Sequence, residues 1–292
     1  MAKGARPGAV TVASQGDRRL TPFSGRVAHA GWRACIPAER YATPLPRRVA
    51  RPLADLCASP AGPRDRQLLL GASFGLLDQQ EGWAFGIAED GYCGWLRAEA
   101  LADWLAPTHW LAAPASHLYP APDMKTRERA ALSLGAALTI IGHERGWAQE
   151  AGAAWLPACH LRAWDDRPDD PVAIAESLLG TPYLWGGNSR AGLDCSGLVQ
   201  LACRACNIAS PADSDLQADS LGVALPRGAA LRRGDLVFWK GHVGWMADDR
   251  QLLHANAYHM AVALEPLDQA TARIAAAGGG DISAIRRLEF SG

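Results

Sequence analysis

A thiol and two imidazoles are the groups in this chain whose spacing suggests joint chemistry. Cys195 lies in "TPYLWGGNSRAGLDCSGLVQ" (Thr181–Gln200), just after a glycine-bearing loop and just before an apolar run with helical spacing. A thiol must ionise to attack near neutral pH, and its ordinary pKa of about 8.5 is too high for that. A helix N-terminus favours the thiolate through its partial positive charge, and a nearby imidazole can take the proton. His242, in "GDLVFWKGHVGWMA", opens a strand-like run after a turn, where a side chain can lean into a cleft at the end of a sheet. His254 follows twelve residues later across the turn "ADDRQ", close enough to be a cross-strand neighbour holding the other ring nitrogen of His242. The pattern predicts a Cys–His nucleophile pair with a resting thiolate. Two ordinary half-buried sheet histidines are the competing reading.

These residues need elements to hold them. Asp194 stands where a cap for the first amides of the helix should be, and Gly186 and Gly187 allow close approach of the loop. "PVAIAESLLG" reads as a short helix opened by Pro171 and closed by Gly180, and "DCSGLVQLACRAC" as a second helix. "GDLVFW", "HVGWMA" and "QLLHANA" read as three short strands, so helices precede strands in an α+β domain. Before it, "AWDDRPDDP" (Ala163–Pro171) reads as a linker. Further upstream two segments repeat: "LLLGASFGLLDQQEGWAFG" from Leu68 and "LSLGAALTIIGHERGWAQE" from Leu132, with Gly71/Gly135, Gly82/Gly146 and Trp83/Trp147 at a constant offset of 64. The closing tryptophans, Trp95 and Trp155, are offset by 60, which places a four-residue loss in a turn of the second copy. Short apolar runs between Gly, Asp and Glu turns, in units of this size, point to two small β-barrels.

Composition narrows the partners. The 292 residues are 49% hydrophobic with a formal net charge of −1, which gives little electrostatic reason to bind nucleic acid or an anionic membrane. No apolar run is long enough to cross a bilayer, and "MAKGARPGAVTVASQGDRRL" lacks the apolar core and cleavage site of a secretory signal, so a cytoplasmic location is expected. Seven scattered cysteines do not form a disulfide framework. Cys203 and Cys206 share a helical stripe with Leu198, Leu201, Ala202 and Ala205 and read as core. His254 and His259 have no third zinc ligand at suitable spacing, and Cys–His chemistry requires no metal or cofactor.

"GTPYLWGGNSRAGLDCSGLVQ", "GDLVFWKGHVGWM" and "LLHANA", in this order, resemble the NlpC-type cysteine peptidases of bacterial cell-wall metabolism. The upstream repeat looks like the paired bacterial SH3-type barrels of one subgroup, which is similar to the γ-D-glutamyl-L-diamino acid endopeptidases. The resemblance implies an N-terminal extension over 1–45, barrels over 46–105 and 106–165, and a papain-like catalytic domain over 166–292. It also implies that Cys195 is the nucleophile, His242 the general base and His254 its orienting partner. Tyr183 matches a tyrosine beside the nucleophile, with loop packing as the alternative. Asp194 matches an acidic residue that recognises the free α-amine of an N-terminal L-Ala, a role compatible with capping. Trp185 and Ser196 fit as pocket walls. Ser214 falls where polar groups meet the glutamyl carboxylate, or is a turn serine. Tyr92 matches an aromatic from the first barrel that helps hold the amine, or is barrel core. One departure is clear: where the family carries Gly-Glu this chain has Gly71-Ala72, and Asp65 is a carboxylate that could stand in.

The activity that this resemblance implies is hydrolysis of the γ-D-glutamyl–diamino acid bond in free murein peptides. The rivals are an amidase or acyltransferase using the same Cys–His site, and a silent module that binds cell wall or peptide.

Overall fold

The repeat folds as two successive sets of short strands. A computed structural model describes residues 16–226 and 228–288. In the first copy, strands Leu45–Val49, Leu53–Cys57, Arg64–Leu69, Ser73–Gln80, Trp83–Ala88, Cys93–Arg97 and Leu101–Asp103 form one seven-stranded sheet enclosing Val49, Leu56, Leu68, Phe74 and Leu96. The second copy runs from His109–Leu111 to Leu161–Ala163 in three smaller sheets around Leu111, Leu132, Leu138 and Leu156. The correspondence reaches single turns. Glu81-Gly82 and Arg145-Gly146 carry positive φ at both positions (48° and 78°, 47° and 87°), the backbone of a tight two-residue hairpin loop. A 3₁₀ turn, Ala98–Ala100 or Ala158–His160, follows the closing strand in each copy.

The four residues missing from the second copy are lost from strand ends, not from the turn. Trp83–Ala88 and Cys93–Arg97 flank residues 89–92, whereas the shorter Trp147–Glu150 and Trp155–Pro157 flank 151–154. A hairpin shortened by two residues on each side keeps its turn and its facing pattern, because side chains alternate with a period of two.

The catalytic part contains helices α1 (Pro171–Glu176), α2 (Cys195–Ala205), α3 (Ser214–Ser220) and α4 (Leu267–Ala276). Its six-stranded antiparallel sheet runs in the order Val223–Ala224, Ala284–Arg287, Asp235–Trp239, His242–Met246, Gln251–Asn256, Ala261–Pro266. Helix α2 lies buried against this sheet, packing Leu198, Val199 and Ala202 among Leu236, Phe238, Val243, Trp245 and Leu253. Cys203 is in that core, as its helical spacing predicts, whereas Cys206 falls just past the end of α2 as its C-cap and is only half-buried. The result is the expected α+β arrangement, with helices preceding the main strands.

Polar ties fix the units to one another. Asp170 caps α1 by accepting from the Val172 and Ala173 amides (2.9 and 3.1 Å), and the Asp166 carbonyl takes the Trp110 indole N–H at 2.9 Å. The Asp/Pro stretch read as a bare linker is therefore tied down at both ends. Between the first barrel and α2, Gln200 accepts from Arg66 at 2.6 Å and donates to Asp90 at 2.6 Å, while Arg66 also pairs with Asp90. Burial pushes the Asp90 carboxyl up, but the Arg66 guanidinium more than offsets this and holds it below its ordinary value. Gly186 sits at φ +68°, and a Cβ there would lie 2.6 Å from the Asp65 carbonyl oxygen, so only glycine lets the catalytic loop reach the barrel. The N-terminal segment wraps the first barrel, with Ser24 and Arg26 donating to the buried Asp78 at 2.7 and 2.9 Å. Among the described residues no helix is long and apolar enough to cross a membrane.

Candidate active site

Cys195 is the first residue of α2, and Asp194 caps that helix, accepting from the Gly197 amide at 2.6 Å and the Ser196 hydroxyl at 3.1 Å. Its other oxygen takes the Gly186 amide at 2.9 Å, which ties the glycine loop to the helix start. The cap expectation for Asp194 and the helix-opening position of Cys195 both hold. Cys195 and Val243 share one buried cluster. Val243 directly follows His242, so the thiol and the first turn of the His242 strand share one cleft.

His242 and His254 meet across adjacent strands, with His242 Nε2 and His254 Nδ1 2.7 Å apart. Gly244 makes this possible: a Cβ there would come within 3.0 Å of the His254 Cβ and 2.8 Å of Leu252. A side chain at 244 would fill the space the two rings use. His254 is fully buried, and its second nitrogen, Nε2, lies 2.7 Å from Glu265 Oε1. Arg273, on α4, reaches the same oxygen. Neither Glu265 nor Arg273 is prominent in the sequence.

The surroundings of the pair work against the charges that the sequence suggests. Burial pushes the Cys195 thiol up to about 12, with the Asp194 carboxylate adding to it, and pushes His242 down to about 3, with His254 adding to it. Both shifts oppose charge separation, because a sulfur enclosed by protein loses the water that would solvate its charge. The helix N-terminus does not overcome this. Burial therefore favours an uncharged thiol and an uncharged imidazole over the separated charges that the sequence suggests.

The remaining residues gather round the same cleft. Tyr183 is half-buried, and its hydroxyl is pushed up to about 12 by burial and by the neighbouring Cys195 and Asp194. Asp65, Asp194, Asp213, Ser196 and Gly186 line one small cleft beside the helix start. Asp65 is thus one of the carboxylates of the cleft, whereas Ala72 is packed in the core of the first barrel. Tyr92 is buried behind it, its hydroxyl pushed up first by burial and then by Asp213 and Asp65, with Arg66 over its ring at 5.4 Å. Ser214 is half-buried at the first turn of α3, next to Asp213. Trp185 is different: its indole is 71% exposed at the rim, while its carbonyl takes the Arg64 guanidinium at 2.7 Å.

Two further groups were not anticipated. Arg18 donates to both oxygens of Asp65 (2.8 and 3.2 Å), and Arg19 pairs with Asp213 at 2.7 Å and Asp215 at 2.6 Å. The N-terminal segment thus reaches the rim of the catalytic cleft. The sequence offered no third ligand beside His254 and His259, but the fold brings Glu265 to them, and the three converge closely enough to hold a cation. The Arg273 guanidinium already occupies the Glu265 oxygen, which sets a positive charge against any ion there.

The model of the NlpC/P60 family matches residues 180–274, and that of the bacterial dipeptidyl-peptidase Sh3 domain matches residues 56–101. The chain carries an NlpC/P60 domain preceded by a bacterial SH3 domain. The gamma-D-glutamyl-L-lysine dipeptidyl-peptidase of Bacillus cereus is 27% identical over 70% of this chain and 71% of its own length. The Bacillus subtilis protein of that name is 29% identical over 56% of this chain and 60% of its own. In fold, an NlpC/P60 family protein from Bacillus cereus superposes with a TM-score of 0.71 at 21% identity, covering 83% of this chain and 99% of that one. The NlpC/P60 domain makes this chain a cysteine peptidase.

A neutral resting thiol in the NlpC/P60 domain has a measurable consequence. Alkylation follows the thiolate fraction, so iodoacetamide labelling of Cys195 should climb about tenfold per pH unit from pH 6 to 9 with no acid plateau. Peptide mass spectrometry separates this site from the exposed Cys35 and Cys159. A flat rate across pH 5–8 would indicate a standing thiolate–imidazolium pair instead.

Proposed function

We propose that this cell-wall peptidase hydrolyses the γ-D-glutamyl–diamino acid bond of free murein peptides that begin with an unblocked L-Ala. The carrying observation is the acidic cleft of Asp65, Asp194 and Asp213 beside the nucleophile, closed behind by Tyr92 from the first barrel. Three carboxylates beside the nucleophile suit an ammonium group at the N-terminus of a short peptide. The names of the relatives support the same bond. The second repeat belongs to this reading as another SH3-type barrel, supported by its matching turns, and the cytoplasm is where we place the enzyme.

In this reaction His242 presents the ring nitrogen not used by His254, Nδ1, to the thiol. The Cys195 sulfur attacks the γ-carbonyl carbon of D-Glu as its proton passes to His242. The oxyanion that forms is met by the Cys195 backbone N–H and the Tyr183 hydroxyl. His242 then protonates the departing amine, leaving a thioester. A water molecule that gives its proton to His242 attacks the thioester, releasing L-Ala-D-Glu and the thiol. Ser196 and Ser214 supply polar contacts for the glutamyl α-carboxylate, and Trp185 forms the open side of the groove.

Mass spectrometry of products tests this reading. L-Ala-γ-D-Glu-diaminopimelate and its lysine counterpart should yield the dipeptide L-Ala-D-Glu and the free diamino acid. Cleavage of intact sacculi at the muramic acid amide, with the free tripeptides left uncut, would favour an amidase instead.

A further inference from the structure

The pair of histidines does not end at His254. His254 Nε2 lies 2.7 Å from Glu265 Oε1, inside the sheet, with His254 fully buried and Glu265 nearly so. Glu265 stands opposite Leu252 on the neighbouring strand, and Leu252 lies two residues before His254 on the same face. This diagonal placement is within reach of a long side chain. Four other polar groups face the pair: His242 from the adjacent strand, Arg273 from α4, and His259 and Asn256 from the turn at the strand's end. His259 Nδ1 is 3.1 Å from Asn256 Oδ1 and 3.9 Å from Glu265 Oε1, so Asn256 is its nearer partner.

Donor and acceptor roles follow along the chain of contacts. A guanidinium only donates, so the Glu265 oxygen that meets Arg273 is held as an acceptor. His254 must then carry its proton on Nε2. A neutral imidazole with a proton on Nε2 has a bare Nδ1, and that nitrogen accepts from His242 Nε2. The proton of neutral His242 is thereby fixed on Nε2, and its Nδ1 keeps the lone pair that the thiol proton needs. With no acceptor at 265, His254 is free to carry its proton on Nδ1. Two N–H groups would then confront each other unless His242 also changed tautomer and lost its free Nδ1.

We infer that Glu265 is a positioning residue that sets the tautomers of both His254 and His242, and that Arg273 keeps it in the accepting role. The inference rests on the cysteine-peptidase reading. It adds a fourth and a fifth residue to the Cys195–His242–His254 line, neither of which touches substrate.

Two-bond ¹H–¹⁵N spectra of histidine-labelled protein, assigned by single substitutions, test it directly. Both His242 and His254 should show the Nε2–H tautomer at pH 7 in the native enzyme. Glu265→Leu, which keeps bulk but removes the acceptor, should give mixed tautomers at His254 and lower kcat by roughly 10–100-fold, with KM within about twofold. Glu265→Gln should recover kcat to within about threefold, because its carbonyl oxygen can still accept from His254 and Arg273. A native spectrum with His254 as the Nδ1–H tautomer would overturn the inference, as would a folded Glu265→Leu enzyme with undiminished kcat. If Glu265→Leu does not fold, as judged by circular dichroism, the native spectrum and Glu265→Gln still decide. Loss of activity in Cys195→Ala together with full activity in Glu265→Leu would sink only this inference, whereas an active Cys195→Ala would sink the peptidase reading beneath it.

Discussion

Cys195→Ala should abolish hydrolysis of L-Ala-γ-D-Glu-diaminopimelate, lowering kcat/KM by at least ~10⁴-fold, since removing a nucleophile leaves only binding and oxyanion donors. The fold should survive, because alanine keeps the first position of α2 and the Asp194 cap acts through the Gly197 amide, not through the thiol. A stability loss of about 1 kcal/mol, the ordinary size for a point change, is expected from thermal unfolding. Activity retained in a folded Cys195→Ala enzyme would remove the sulfur from the mechanism. A silent binding module would instead bind the peptide equally in both forms and turn over neither, so measuring binding and turnover together separates the two readings.

The parts of this site that depend on local pattern were legible in the sequence. α2 shows itself by its cap and its Leu198, Leu201, Ala202, Ala205 stripe, and the repeat by glycines that fall at positive φ in both copies. His254 was visible because a short turn fixes the distance between two strands. Glu265 was not, since polarity alone points a leucine inward and a glutamate outward, and the structure does the reverse: Leu264 is exposed and Glu265 buried. An ion pair from α4 and a hydrogen bond to His254 make that inversion tolerable, and neither partner is local. The state of the thiol depends on distant packing in the same way. A helix N-terminus can be recognised in a sequence, but the burial that opposes it depends on the sheet packed against α2. Likewise Asp65, flanked by Arg64 and Arg66, looks like any charged strand residue until the glycine loop docks against its backbone.

Acetylating the N-terminus of the tripeptide should suppress cleavage by roughly 10²–10⁴-fold, the range seen when a site built for a polar group meets an analogue that leaves its buried groups unpaired. The carboxylates of the cleft show why. Asp194 has both oxygens engaged with the Gly197 and Gly186 amides and the Ser196 hydroxyl, so it supplies charge more than free hydrogen-bonding capacity. Asp213 is pushed up by burial and held in check by Arg19. Asp65 is the exchangeable one, because its partner Arg18 is half exposed and can turn into solvent. An entering ammonium can take the place of the Arg18 guanidinium on Asp65. An acetamide brings no charge to replace it and adds bulk against Tyr92. Asp65→Asn should therefore raise KM for the free peptide about tenfold and narrow the gap between free and acetylated substrates, as the loss of one charge-assisted hydrogen bond implies. Steady-state kinetics on the four enzyme–peptide combinations measures this directly. Equal cleavage of the two peptides by the native enzyme would show that the acidic cleft does not read the amine, and the exchange at Asp65 would fall with it.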